Sequence, residues 1–392
     1  MCCRITSLGF MLAACIAIAA YADDAMLPGE PFVYTEWETF YAEENGLPND
    51  HIFALKADGD RLWVGTENGL ACYEDGQWKT WTEADGLPWR VVSGIAISPK
   101  TGDVWLGLFG GGVARFSAGR FDHFHQLNSG LVNDVVYGVT MVGDELWAAT
   151  TAGTSRYNTA SGEWEIYTEK NAPMEEIWCY SIDSDPANQM IYLAVWGGGI
   201  LEYDMKTGQW TDHHDPDGEM EIDLYRDDGL IHIITTSVSF TQGVMWASTY
   251  FGLSRYDGRH WRGYMDHDSG LRSNFINFAK GRGGSACYNC TDEGFSVLTD
   301  FENDVWVSYY RESEDAKQWS AKIQVGANEI RTQPIDLNLP NHYSIVCEFQ
   351  GEDVWLGTGH GLARGKGAGY WPGLKKKTAL VLPQEAIQGE TP

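Results

Sequence analysis

Leu62-Trp63-Val64-Gly65-Thr66-Glu67-Asn68-Gly69-Leu70 returns in altered form six more times along the chain. Leu146-Trp147 with Gly153-Thr154, Met245-Trp246 with Gly252-Leu253, Cys287-Tyr288 with Gly294-Phe295, and Val354-Trp355 with Gly361-Leu362 keep its frame. Val104-Trp105 with Gly111 and Ile191-Tyr192 with Gly198 are the same unit with one extra glycine. In all seven, a glycine stands six residues after the aromatic. A short alternating run follows, such as Leu70-Ala71-Cys72-Tyr73, and then a turn, such as Asp75-Gly76 or Ser161-Gly162. Next come two aromatics three apart, as Trp78 and Trp81 or Trp261 and Tyr264. A Gly-Leu connector, as Gly86-Leu87 or Gly270-Leu271, leads into an apolar run such as residues 91–97.

A period of two within the runs, broken by Gly and Asp, predicts four short strands joined by hairpins in a unit of about 42 residues. That period reads as a propeller blade. The recurrent glycine suits a tight turn that needs positive φ. The recurrent aromatic fills the gap between blades packed sheet on sheet. The seventh unit lacks its outer strand, while Trp37-Glu38-Thr39-Phe40, followed by Gly46-Leu47-Pro48, is an outer strand with no blade before it. The expected fold is therefore all-β: a seven-bladed β-propeller over residues 31–366, with four-stranded antiparallel blades and the last blade closed by the N-terminal strand. Closure removes two sheet edges that would otherwise invite pairing with other chains.

At residues 62–70, 78–81, 46–49 and 354–362 the chain resembles the two-component regulator propeller family. Repeats of that family read Leu-Trp-x-Gly-Thr-x-x-Gly-Leu-x-x-Tyr, then Trp-x-x-Tyr, then Gly-Leu-x-x-Asn. The resemblance implies sensing or binding outside the cytoplasm, with polysaccharide breakdown products as one ligand class. It also implies an exported stand-alone member, because the sequence shows neither a kinase nor a membrane helix. More distantly, the repeats resemble the propeller of streptogramin lyases, which are metal-dependent enzymes; no equivalent His/Glu constellation stands out.

The chain has 392 residues, with 27 Lys and Arg against 55 Asp and Glu, a net charge of -28. This acidity disfavours nucleic acid and anionic membrane surfaces as partners. Residues 1–22 read as a signal peptide: Arg4, an uncharged apolar run over 8–20, and Ala20-Tyr21-Ala22 as the cleavage site. The expected location is thus the periplasm or the exterior. Leu12-Ala13-Ala14-Cys15 leaves open a lipoprotein anchored at Cys15. No later run of about 20 apolar residues follows, so no transmembrane segment is expected in the mature chain. Residues 367–392 read as a flexible tail.

Strand alternation puts the Gly-Leu connectors and the turns after each second strand on one face. Connectors bring His51, Trp89, Arg90 and His342 there, with Asn49, Asp50, Asn133, Asp134, Asn274 and Asn341. Turns bring Glu67, Phe109, Trp196, Tyr250, Phe251 and His360, with Glu293. Varying aromatic and polar tips on a repeating frame are what a binding surface needs. Trp196, Phe109, Tyr250 and Phe251 suit stacking on a sugar ring or a peptide.

Two insertions lengthen the repeat. One holds His213-His214-Asp215-Pro216-Asp217-Gly218-Glu219, which reads as a solvated acidic loop, with cation binding left open. The other, near residues 312–337, suits a hairpin that lids the face or offers a contact surface. Cys287 and Cys290, three apart on one strand, face opposite sides and are not expected to pair. Five cysteines beyond residue 22 give no complete disulfide framework. No catalytic motif, metal site or cofactor is expected. The leading expectation is a non-enzymatic propeller that binds a small molecule, glycan, peptide or protein through its connector face. A metal-dependent lyase or hydrolase at the central channel and a structural role in a cell-surface assembly stay open.

Overall fold

The computed structural model describes residues 32–215, 229–313, 315–339, 341–366 and 369–370. The expected signal peptide, Cys15 and most of the expected tail lie outside them. Seven antiparallel sheets follow one another along the chain. Blade one is Ile52–Asp58, Arg61–Thr66, Gly69–Glu74 and Gln77–Trp81. The first strands of the others are Val92–Ile97, Val136–Val142, Cys179–Asp185, Thr235–Thr241, Ile276–Arg282 and Ser344–Gln350. Each first strand packs against the next, and the seventh packs against the first, so the ring is closed around a channel.

Closure follows the offset in the repeat. Blade seven takes Ser344–Gln350, Asp353–Thr358 and Gly361–Lys366 from the end of the chain. Its outermost strand is Glu36–Phe40, with Trp37 opposite Gly365 and Phe40 opposite Leu362. Phe40 is buried between Trp355, 5.4 Å away by ring centroid, and Trp78 at 5.6 Å. Gly369–Tyr370 pairs with Phe32–Val33, so this part of the expected tail joins the seam.

The second insertion is a hairpin, but it does not lid the face. Trp319–Val325 and Asn328–Ile335 add a fifth and sixth strand to blade six, outside Val305–Arg311. The unpaired edge of a fourth strand is the natural place for a hairpin to dock. Its inner side then covers the seam. The Tyr34 amide donates to the Tyr309 hydroxyl at 2.8 Å, and Trp37 stacks edge-on against Tyr309 at 5.6 Å. Tyr34, Trp319, Leu337 and Leu339 share one buried cluster, and Tyr41 donates to the Asn338 carbonyl. A bulge at Ile330 and Pro334 within the strand blunt the new outer edge.

The recurrent aromatics are the wedges between blades. Trp63, Trp105, Trp147, Tyr192, Trp246, Tyr288 and Trp355 are at most 4 % exposed. Each shares a buried cluster with residues of the following blade, as Trp147 does with Leu193 and Trp355 with Val64. Cys287 and Cys290 likewise enter the two different interfaces flanking blade six, as strand alternation requires. All five cysteines of the described residues are free and buried.

The glycine heading each third strand is fixed twice over. Gly69, Gly112, Gly153, Gly199, Gly252, Gly294 and Gly361 all have positive φ. In blades two and four the turn is one residue longer, so this role passes from the glycine six after the aromatic to Gly112 and Gly199. At Gly153, φ is 105° and a Cβ would lie 2.2 Å from the Tyr167 carbonyl oxygen of the fourth strand. Gly153→Ala is therefore expected to cost at least about 1–3 kcal/mol in urea unfolding. Unchanged stability would show that blade three relaxes without the glycine.

Candidate functional site

Every first strand carries a register shift after its opening residue, between Ile52 and Ala54 in blade one and at the matching place in the other six. The extra residue of such a bulge turns out of the ladder. The seven extra residues are Phe53, Ser93, Tyr137, Tyr180, Thr236, Asn277 and Ile345, and all seven line one cavity of about 720 Å³ at the channel mouth. The bulge thus converts a repeated strand start into a ring of side chains aimed at a common space.

Two more rings complete the mouth. The residue before each first strand stands at its rim, including His51, Trp178, Phe275 and Tyr343. In six of the seven blades the first residue of the turn after the second strand is tied to that rim by its backbone amide. Glu67 N donates to His51 O, Phe109 N to Val91 O, Trp196 N to Trp178 O and Tyr250 N to Ile234 O. In five blades the second turn residue donates instead to the threonine that ends its own strand, as Phe251 does to Thr249 and His360 to Thr358.

The rings make an unbroken aromatic arc over blades two to six. Phe109 meets Tyr137 edge-on at 5.2 Å, and Tyr137 stacks on Tyr180 at 4.7 Å. Tyr180 meets Trp196 at 5.3 Å, and Trp178 meets Trp196 at 5.6 Å. Tyr250 continues it, 5.5 Å from Trp196 and 4.2 Å from Phe275. Burial pushes the Tyr180 phenol up to about 12 and raises Tyr137 and Tyr343 as well, so all three stay neutral donors at physiological pH. Opposite this arc stands a polar group. His51 Nδ1 lies 3.4 Å from Glu67 Oε2, and Arg90 approaches the other Glu67 oxygen at 3.9 Å.

Three residues deeper, the fifth positions of the inner strands form a charged tier of Lys56, Asp183, Lys280 and Glu348. The Lys280 ammonium lies 2.8 Å from one Glu348 oxygen and 2.9 Å from the other. Burial alone would lower Lys280, but the Glu348 carboxylate overrides it and the ammonium is held above its usual range. Asp183 faces channel space yet lies deep between the walls, and burial raises its carboxyl despite amide donors from Phe240 and Ser184 at 2.8 Å.

A raised folded-state value means that the contribution of Asp183 to stability is full below its unfolded value of 3.8 and is lost as pH climbs through the raised value. Asp183→Asn, which mimics the protonated acid, should unfold at the same temperature as the parent at about pH 3 and at a higher one at about pH 8. Equal melting at both would show that burial does not penalise this charge.

The expected site residues separate into four groups. His51, Glu67, Arg90 and Phe109 line the cavity directly. Trp196 and Tyr250 join it through the arc. Trp89 covers the blade-two turn, donating from its indole to the Phe109 carbonyl at 2.7 Å, and Phe251 packs on His232 at 4.3 Å. His342 and His360 do not line the cavity. His342 stands one residue before the rim position, which Tyr343 takes, and His360 is the outward second residue of its turn. The same holds for Glu293. Sequence reasoning missed Phe53, Tyr137, Trp178, Tyr180 and the charged tier. No local signal marks the bulge ring, since the opening residue is apolar in Ile52 and Val136 but polar in Thr235 and Ser344.

Among the described residues, no group of three His, Cys, Asp or Glu is placed to hold a metal ion. In the first insertion, His213 pairs with Glu202 at 3.1 Å and His214 with Asp212 at 3.3 Å. Residues 216–228, with the Asp217-Gly218 part of the motif, lie outside the described residues. No described helix is long and apolar enough to cross a membrane.

Residues 46–68 match the family of two-component regulator propellers. This stretch runs from the first connector through the second strand of blade one and holds His51, Phe53 and Glu67. No curated protein matches the chain. Among solved structures, it superposes on the extracellular domains of two proteins from B. thetaiotaomicron assigned as hybrid two-component systems. The first gives a TM-score of 0.62 at 14 % identity, covering 85 % of this chain and 42 % of that one. The second gives 0.62 at 16 %, covering 85 % and 40 %. The chain thus spans less than half the length of these structures. Virginiamycin B lyase from Staphylococcus aureus gives 0.56 at 12 % identity, covering 84 % of this chain and 98 % of the enzyme. At such identities the likeness is one of fold. The chain carries a two-component regulator propeller repeat on that fold.

Proposed function

We propose that this protein is an exported, non-enzymatic binding propeller that takes a small molecule, glycan or peptide into the mouth of its channel, as the recognition part of a sensing system. One observation carries the reading. Of the eight large apolar or aromatic side chains left exposed among the described residues, Trp89, Phe109, Trp178, Tyr250 and Tyr343 gather on this one face. Exposed apolar surface concentrated around a cavity marks a binding site. The polar groups opposite the arc would fix the orientation of the ligand. Export and a periplasmic or external location belong to the same reading, resting on residues 1–22 and on the extracellular placement of the similar domains.

The test is a thermal-shift screen of the mature protein against oligosaccharides, peptides and divalent ions, since a ligand specific to the folded form raises its melting temperature. Trp178→Ala and Trp196→Ala are each expected to weaken the hit at least about tenfold, the loss of one stacking platform. A hit with unchanged affinity in both variants would place the site elsewhere. A hit only with divalent ions would favour the metal-dependent enzyme.

A further inference from the structure

The charged tier below the mouth is balanced in number but not in pairing. Lys280 and Glu348 close on each other. Lys56 and Asp183, which line the same cavity, make no ion pair with any described residue. They stand in blades one and four, almost half-way round the ring from one another. Asp183 is held by the Phe240 and Ser184 amides, and the half-buried Lys56 ammonium faces the same cavity, so a ligand with both charges could engage both.

The walls above them differ in the same sense. At the mouth on the side of Lys56, Arg90 and His51 share the Glu67 carboxylate, so the Lys56 ammonium below them is the cation left open to the cavity. Tyr137 and Tyr180 stand above Asp183, offering ring faces beside a carboxylate. Ring faces with a carboxylate suit an ammonium group; the Lys56 ammonium suits a carboxylate. A neutral sugar would answer neither charge.

We propose that the channel receives a small zwitterion, a free amino acid or a short peptide with both ends uncapped, its ammonium group at Asp183 and its carboxylate at Lys56. This rests on the reading of the channel mouth as the ligand site. Lys280 and Glu348, already joined, serve as the fixed floor.

The experiment is calorimetric titration of the mature protein with free amino acids and uncapped dipeptides up to millimolar concentration. Each binder is compared with its N-acetyl and C-terminal amide forms. At least one uncapped compound is expected to bind, and either cap to weaken it at least about tenfold. In Lys56→Met, the acid and the amide should bind alike; in Asp183→Asn, the amine and the N-acetyl form should bind alike. The capping comparison on the unaltered protein decides even where a variant fails to fold. Absence of binding by every uncapped compound, or indifference to both caps, overturns the proposal. If a neutral oligosaccharide binds instead and Trp178→Ala weakens it, the channel stands as the site and the zwitterion alone is lost. A bound dipeptide unaffected by Trp178→Ala and by both charge variants overturns the site and the zwitterion together.

Discussion

Deleting the chain through Phe40 is expected to abolish cooperative unfolding and to drive the protein into aggregates. Without Glu36–Phe40, blade seven keeps three strands and exposes the full edge of Gly361–Lys366. An open, apolar edge is a template for pairing with other chains. The loss also strips the outer part of blade six of its cover, since Tyr34 and Trp37 pack against Tyr309 of its fourth strand and Tyr34 shares a cluster with Trp319 of the hairpin. The milder change Phe40→Ala isolates packing from strand loss. Phe40 is 8 % exposed and wedged between the seventh and first blades, so truncating it should cost about 3–5 kcal/mol in urea unfolding. Size-exclusion chromatography and denaturant titration check both variants. A truncated protein that elutes as the parent does and unfolds in one transition would show that the ring holds without its clasp.

Lys280→Met should be nearly as damaging, for a different reason. It leaves Glu348, 5 % exposed, ionised in the channel wall without its partner. Breaking a buried pair from one side costs about 3–5 kcal/mol, whereas replacing both partners by apolar groups of similar size is often close to neutral. The double variant Lys280→Met with Glu348→Met should therefore recover most of the loss. If the double variant is as unstable as the single, the pair itself, and not the stranded carboxylate, carries the energy.

The ring was legible in the chain because its cause is periodic. An aromatic at a fixed place in each second strand, a glycine to turn after it and a two-aromatic outer strand recur with enough fidelity to fix blade number and even the seam. What could not be read was aim. A bulge shifts side-chain parity within one strand, and nothing in Ile52-Phe53-Ala54 or Val136-Tyr137-Gly138 announces it. Read as plain alternation, these aromatics look like ordinary strand residues; the bulge turns Phe53 and Tyr137 toward the channel. The same limit separates Tyr250 from its neighbour Phe251 and Tyr343 from His342. One residue of slip decides between channel and outer surface. The hairpin of the second insertion was legible as a hairpin, but its docking edge is a tertiary choice that local sequence does not encode.

The clasp has a temporal side. Glu36 lies opposite Lys366, 330 residues further along, a separation that makes this among the slowest kinds of contact to form. The strand made before any blade is thus the one that must wait for the last blade to find its seat. Six blades can assemble as they are synthesised, but the circle stays open until Gly361–Lys366 has been made. A nascent chain in that condition remains threadable, which would suit the export proposed above.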